Sequence, residues 1–388
     1  MSRLGNPQLT PSVPWALEEA RLSIHGGTLM NYESNITQAE AARLILEASS
    51  AVVITHAKPD GDAFGSVVAL VAALRQLGRS ATGLFVPPVP ASFQTLRGQD
   101  LCQQYRQNSP LPDAELVILA DTGAWAQLGP VRDVLQPRLP HTLILDHHLS
   151  GDVAAAWRFI DGRAAATCEI VARVLETMQL EAPRGCDFFS PAAAEALFVG
   201  IASDTGWFRF SNTTAYTHEL AARLMKTGVD HTEIYRQTEQ MERPEKLALM
   251  TRALDSMQLL AGGRAAIMVL RDADFAQTGA VLEETERFVD VPQAVGSVEL
   301  VALITETPNG TPGNDAPASP ASTGSGKPGH RPLIRVSFRS KPGPQAVDVA
   351  KLAGRWGGGG HARAAGAKIT APLDDVICEV RRVLEAQF

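Results

Sequence analysis

Short, wholly apolar runs alternate along this chain with longer stretches of helical composition. Ala51-Val52-Val53-Ile54-Thr55 is a β-branched run of strand length, and the polar segment from His56 to Asp62 follows it. Ser66 to Leu77 then has helical composition and stops at Gly78. Leu116-Val117-Ile118-Leu119-Ala120 and Leu143-Ile144-Leu145 repeat the first run. Runs with no polar alternation read as strands buried on both faces. Alternating with helices, they predict an α/β domain: a parallel sheet with helices on both faces. Ser190 before Pro191 is a helix start, cap then first turn, and predicts a helix to about Ala202 that delivers Asp204. A further helical stretch, Thr217 to Thr227, closes this domain and could serve its core or a homodimer.

Glu233 to Leu260 is charged, helical and poor in breakers apart from Pro244, which predicts a linker helix. Strands are expected at Ala265 to Leu270, Val298 to Thr305 and Leu333 to Phe338. Between the last two, residues 307–331 are dominated by Pro, Gly, Ser, Thr and Ala. Such a composition cannot bury a core and predicts a disordered loop. The expected organisation is a poorly ordered leader (1–35), a catalytic domain (36–228), a linker helix (229–260) and a smaller mixed α/β substrate-binding domain (261–388).

Composition changes this picture little. The 388 residues suffice for two or three domains, and the 45% apolar share is that of a globular protein. No apolar run approaches the roughly 20 residues that span a bilayer. The N-terminal stretch has no apolar core of the signal-peptide kind, and Met30 offers a second start. The four cysteines form no C-x-x-C pair, which suggests neither a zinc site nor a disulfide framework and points to the cytoplasm. A net charge of −7 disfavours a protein that coats nucleic acid electrostatically.

The chemistry gathers after the apolar runs. His56, Asp60 and Asp62 follow the first, Asp121 the second, and Asp146, His147 and His148 close the third. In parallel α/β sheets, ligands sit outside the carboxyl ends of the strands, so these segments should meet in one crevice with Asp204. Each segment alone also reads as a turn or a helix cap. Together they are hard to explain that way, because clustered carboxylates repel one another unless cations lie among them. A set of Asp and His without thiolate suits manganese better than magnesium or zinc, and six ligands suit two ions sharing a carboxylate.

Far downstream, Gly357-Gly358-Gly359-Gly360-His361 follows a helical stretch from Asp348 to Trp356. Glycines let backbone amides approach a phosphate closely. Between Lys327 and Lys368 the charges are basic except for Asp348. An anionic substrate is expected there, with Arg339, Ser340, Gly358, Gly359, Gly360 and His361 as its contacts.

These motifs, in this order, resemble the DHH phosphoesterase superfamily, which includes RecJ-type exonucleases, nano-RNases, cyclic-dinucleotide phosphodiesterases and family II pyrophosphatases. The resemblance covers nearly everything from about Gln38, with Gly200-Ile201-Ala202-Ser203-Asp204-Thr205-Gly206 as its fourth motif. It implies that one Mn2+ takes His56, Asp60 and Asp121 and a second takes Asp62, Asp121, His147 and Asp204. It gives catalytic roles to Asp121, His148, which faces the phosphate, and Asp146, which orients an imidazole. The downstream glycine-histidine signature resembles the first form of the DHH-associated domain, not the second domain of the pyrophosphatases. The implied substrates are short RNA or DNA oligonucleotides and 3′-phosphoadenosine-5′-phosphate (pAp), cleaved by a metal-activated water with no membrane involved. The competing readings are a soluble phosphodiesterase for linear or cyclic dinucleotides, a RecJ-like exonuclease, and a non-enzymatic nucleotide sensor.

Overall fold

A computed structural model of the chain describes residues 32–308, 332–343 and 346–388. Of the expected leader (1–35), residues 1–31, and of the expected loop (307–331), residues 309–331, lie outside the described residues. The described residues form two compact units, which divide between Met241 and Glu242.

In the first unit the chain runs through α1 (Gln38–Glu47), β1 (Ser50–Ala57), α2 (Gly61–Gln76), β2 (Ser80–Val86), β3 (Cys102–Gln104), β4 (Leu116–Ala120), β5 (Thr142–Asp146) and β6 (Trp157–Ile160). Then come α3 (Thr167–Glu181), α4 (Pro191–Asp204), α5 (Ala215–Lys226) and α6 (His231–Glu239). The six strands make one parallel sheet in the order β3-β2-β1-β4-β5-β6. β1, β4 and β5 are central, which is why their sequences carry no polar alternation.

Successive side chains of each central strand serve opposite faces. Ala51, Val53, Ile118 and Leu145 enter one core with α1 to α5. Val52, Ile54, Leu119 and Ile144 enter the other, with Leu128, Val131 and Leu135. The helical cover is therefore unequal: long helices lie on one face, and short 3₁₀ segments with a helical turn at Arg132–Leu135 on the other. Helix starts follow the chain's capping signals. Thr37 and Glu40 form a reciprocal capping box, and Ser190 Oγ accepts from the Ala193 N–H with Pro191 in the first turn. Helix α5 buries Thr217, Leu220, Ala221 and Leu224, so this face of it is core.

The stretch read as one linker helix holds α6 and a second helix, α7 (Pro244–Asp255), which ends ahead of strand β7 (Gln258–Leu260). Pro244 opens α7 where its missing N–H costs nothing. It also holds Arg243 extended at ψ 147°, which breaks the run.

The second unit continues through β8 (Ala265–Leu270), α8 (Asp272–Thr278), β9 (Leu300–Glu306), β10 (Leu333–Ser340), α9 (Val349–Gly354), β11 (Gly359–His361), β12 (Ala364–Thr370) and α10 (Leu373–Glu385). Its mixed sheet has the order β11-β12-β10-β9-β8-β7, and β8–β9 is its parallel pair. No described helix is long and apolar enough to cross a membrane.

Candidate metal centre

Strand order reverses between β1 and β4: β1 is followed outward by β2, and β4 by β5. Loops leaving the carboxyl ends diverge at such a point and open a crevice. His56 is the penultimate residue of β1, Asp121 follows β4 directly, and Asp146 ends β5. Asp121 takes a left-handed φ of +64°, a conformation that Asp tolerates better than most residues, and its N–H is bonded to the Leu145 carbonyl at 2.9 Å.

Asp60 caps α2, its Oδ1 accepting from the N–H groups of Asp62 (3.0 Å) and Ala63 (3.1 Å). Asp62 is fully buried at the start of that helix. It accepts the N–H of Thr167 (2.6 Å) and of Cys168 (2.8 Å), the otherwise unpaired amides that open α3. Thr167 Oγ1 donates to Asp121 Oδ1 at 2.9 Å.

Two histidines face these carboxylates. His56 Nε2 lies 3.5 Å from Asp121 Oδ2 and 4.0 Å from Asp60 Oδ1. His147 Nε2 lies 3.2 Å from Asp204 Oδ2 and 3.7 Å from Asp121 Oδ1. The Nδ1 of His56 meets the Ala57 carbonyl at 3.0 Å, and that of His147 meets the Ala164 carbonyl at 3.3 Å. A carbonyl only accepts, so both rings carry a proton on Nδ1, and in the neutral form each turns an Nε2 lone pair toward carboxylate oxygens. Lone pair facing anion is repulsive unless a cation lies between them.

The carboxylates make the same point. Burial pushes the Asp62, Asp121 and Asp204 carboxyls up, and neighbouring carboxylates push Asp121 and Asp204 further. Ligand atoms within 4.8 Å of one another occur in the sets His56–Asp60–Asp121, Asp62–His147–Asp204 and Asp121–His147–His148. The donor atoms are oxygen and imidazole nitrogen, which fits hard or borderline divalent cations. All six residues expected as ligands therefore meet in one place.

Asp146 is buried and in none of these sets. Its Oδ1 accepts the Nδ1–H (2.7 Å) and the backbone N–H (3.2 Å) of His148. Burial works against its charged form, but the His148 bonds and charge hold the carboxyl below its ordinary range; the same bond raises His148. Asp204 ends α4 and leads into a left-handed turn, Gly206, Trp207 and Phe208 at φ +54°, +58° and +62°. Asn212 Nδ2 closes that turn, donating to the carbonyls of Asp204 (3.1 Å) and Ala165 (2.9 Å).

The expected substrate contacts lie in the second unit. Arg339 pairs with Asp290 at 2.8 Å. Ser340 is buried, with its hydroxyl donated to the Val347 carbonyl at 2.6 Å. A Cβ on Gly358 would lie 2.2 Å from the Gly366 carbonyl oxygen, and one on Gly360 2.5 Å from that of Ala364. These two glycines let β11 pack on β12, whereas Gly359 faces open space. His361 ends β11.

Two residues of the centre escape a reading of the sequence. Thr167 follows Ala164-Ala165-Ala166 with no motif of its own, although that small-residue run ahead of a helical stretch marks a helix start. Tyr32 falls in the expected leader, yet it is buried and bonds Asp146. Its signal is faint: an aromatic just ahead of the Thr37–Glu40 capping box.

Residues 50–201 match the DHH family, N-terminal domain, and residues 298–387 match the DHHA1 domain. The chain belongs to the DHH family. It is 27% identical over 355 residues to the bifunctional oligoribonuclease and PAP phosphatase NrnA of Thermus thermophilus, covering 89% of this chain and 93% of that one. It is 24% identical over 330 residues to the Bacillus subtilis protein of the same name, covering 85% and 92%. Among solved structures, an exopolyphosphatase-related protein from Bacteroides fragilis shares the fold, with a TM-score of 0.76 at 20% identity over 90% of this chain and 96% of that one.

Proposed function

We propose that this chain hydrolyses phosphoester bonds in short oligonucleotides and in pAp, with two divalent cations, manganese by preference, at the His–Asp centre. The observation that carries the reading is the pair of ligand sets that share no residue, His56–Asp60–Asp121 and Asp62–His147–Asp204, lying within one crevice. The names of the two curated relatives point to the same substrates.

His56, Asp60 and Asp121 would hold one cation, and Asp62, His147 and Asp204 the other, with Asp121 shared. When bound, such ions supply positive charge to the phosphoryl oxygens and lower the pKa of a water. The chain's own residues set the rest. The first-turn amides of α3 and the Thr167 hydroxyl fix the Asp62 and Asp121 carboxylates in place before any ligand arrives. His148 holds its Nδ1 proton on Asp146 and leaves Nε2 for the substrate. Held protonated by that bond, it offsets phosphoryl charge and gives a proton to the leaving oxygen. In the second unit, the open backbone at Gly359 and the basic residues of β10 suit a terminal phosphate and base. A cytoplasmic location belongs to the same proposal, supported by four free cysteines.

The test is a length ladder of 5′-labelled RNA with manganese, run beside pAp and cyclic di-AMP. The expected result is fastest cleavage of the shortest strands and release of phosphate from pAp. A rate that does not fall as the strand lengthens would replace this reading with a long-strand exonuclease, and cleavage of cyclic di-AMP alone with a cyclic-dinucleotide phosphodiesterase.

A further inference from the structure

Tyr32 precedes α1 in sequence, and its side chain is carried into the centre. Its hydroxyl donates to Asp146 Oδ2 across a sequence separation of 114 residues. Two glycines make room for its ring. A Cβ on Gly123 would lie 2.0 Å from the Tyr32 hydroxyl oxygen, and one on Gly151 would lie 2.4 Å from the ring carbon Cε2. Gly123 belongs to the loop that carries Asp121, and Gly151 to the loop that carries His147 and His148. These loops are also tied to each other, since the N–H groups of Asp152 and Val153 donate to the Gly123 carbonyl at 2.8 and 2.9 Å. The ring therefore sits against both loops at the point where they join.

The hydrogen bonds define what the hydroxyl does. Asp146 Oδ1 is taken by the two donors of His148, and Oδ2 by Tyr32. With both oxygens engaged, the carboxylate has one orientation, and it stands outside every set suited to a cation. Without the hydroxyl, Oδ2 would be a buried, unpaired charge-bearing atom, which is costly. The carboxylate would then turn toward another donor or toward a cation, and His148 would lose the partner that fixes its tautomer.

We propose that Tyr32 is a positioning residue: acting through Asp146, it fixes the His148 ring with Nδ1 protonated and Nε2 free for substrate, and it keeps Asp146 out of the cation set. The consequence for rate rests on the function proposed above; the consequence for the His148 ring does not.

Tyr32→Phe keeps the ring and removes the hydroxyl. With the shortest cleavable oligoribonucleotide, kcat is expected to fall about tenfold, the loss of roughly one good hydrogen bond to a charged group. KM and the manganese affinity measured by calorimetry should stay within about twofold, because the Tyr32 hydroxyl bonds Asp146, which stands outside the ligand sets. A second readout needs no activity. In proton–nitrogen spectra of the metal-free protein, the His148 Nδ1–H signal, assigned by its loss in His148→Ala, should be present in the wild type and lost to solvent exchange in Tyr32→Phe. Retention of that signal in Tyr32→Phe overturns the proposal whatever the rate does. An unchanged kcat overturns it as well, and so does a joint decline of kcat, KM and manganese affinity, which would make Tyr32 a brace of the fold. If the wild-type protein cleaves no oligonucleotide, the functional reading fails, and the spectra alone decide the role of Tyr32.

Discussion

The two units treat charge in opposite ways. In the first, Asp62 and Asp121 are buried, Asp204 is partly so, and among the described residues the basic partners within 4 Å of Asp121 and Asp204 are histidines alone. In the second, the basic segment that the sequence marks for substrate is largely satisfied from within. Arg339 pairs with Asp290, Lys341 Nζ donates to the Val295 carbonyl at 2.7 Å, and Arg363 Nη1 donates to Ser340 Oγ and to the Val347 carbonyl, both at 3.2 Å. Buried charge of one sign is tolerated where a ligand will complete it; groups already paired specify shape instead. The first unit thus gathers charge that cations could complete, whereas the second is a largely paired scaffold with open backbone at Gly359 in its glycine run.

The largest test of this contrast is Asp121→Ala. Asp121 belongs to two ligand sets, so its loss should abolish manganese binding in calorimetry and lower turnover by about 1,000-fold or more. Retained activity would show that the buried charge serves something other than metal.

The next effect is on stability. Asp62, Asp121 and Asp204 have carboxyls pushed up in the fold. Groups of that kind stabilise the metal-free protein below the ordinary carboxylate range, and this contribution is lost as pH rises through their folded values. Cations need the deprotonated forms. Adding manganese at about 1,000 times its Kd should therefore stabilise the protein by about 4 kcal/mol near neutral pH. The shift in Tm should grow between about pH 5 and about pH 8 and vanish with chelator. A shift that is the same at both ends would mean that these carboxylates do not meet the ion.

The smallest pair of effects separates glycines in the second unit. Gly358→Ala drives a Cβ into the Gly366 carbonyl and should cost about 1–3 kcal/mol in thermal unfolding. Gly359→Ala meets open space, so stability should hold within about 0.5 kcal/mol. KM for a short oligonucleotide should then rise severalfold if substrate phosphate approaches that backbone. An unchanged KM in Gly359→Ala would remove the glycine backbone from the contacts proposed for the second unit.

How much of this could be read from the chain follows the same division. β1, β4 and β5 are legible because central parallel strands are apolar on both faces, and Asp or His at their ends stands out against that background. β2, β3 and β6 are not: Ser80 to Val86 mixes exposed and buried positions, Cys102 to Gln104 is short, and Trp157 to Ile160 is half-buried throughout. The six residues proposed as cation ligands could be picked out because each belongs to a local motif. Tyr32 and Thr167 could not, because their roles depend on partners 114 and 46 residues away, with nothing local to announce them. The glycine run was legible as unusual, but Gly358 and Gly360 answer to β12, which the pattern of the chain did not reveal.

The reversal of strand order between β1 and β4 also bears on how the centre comes into being. Its side chains arrive from His56 to Asp62, from Asp121, from Asp146 to His148 and from Asp204, so no short stretch of chain contains either complete ligand set. During synthesis, a chain that has emerged only as far as β5 holds five of the six strands but lacks Asp204, and the amides of α3 have yet to seat Asp62. Contacts this distant along the chain form late, after loop closure has been overcome. On the two-cation proposal, metal capture would therefore mark completed folding of the first unit, since the nascent chain passes through most of its assembly without both ligand sets complete.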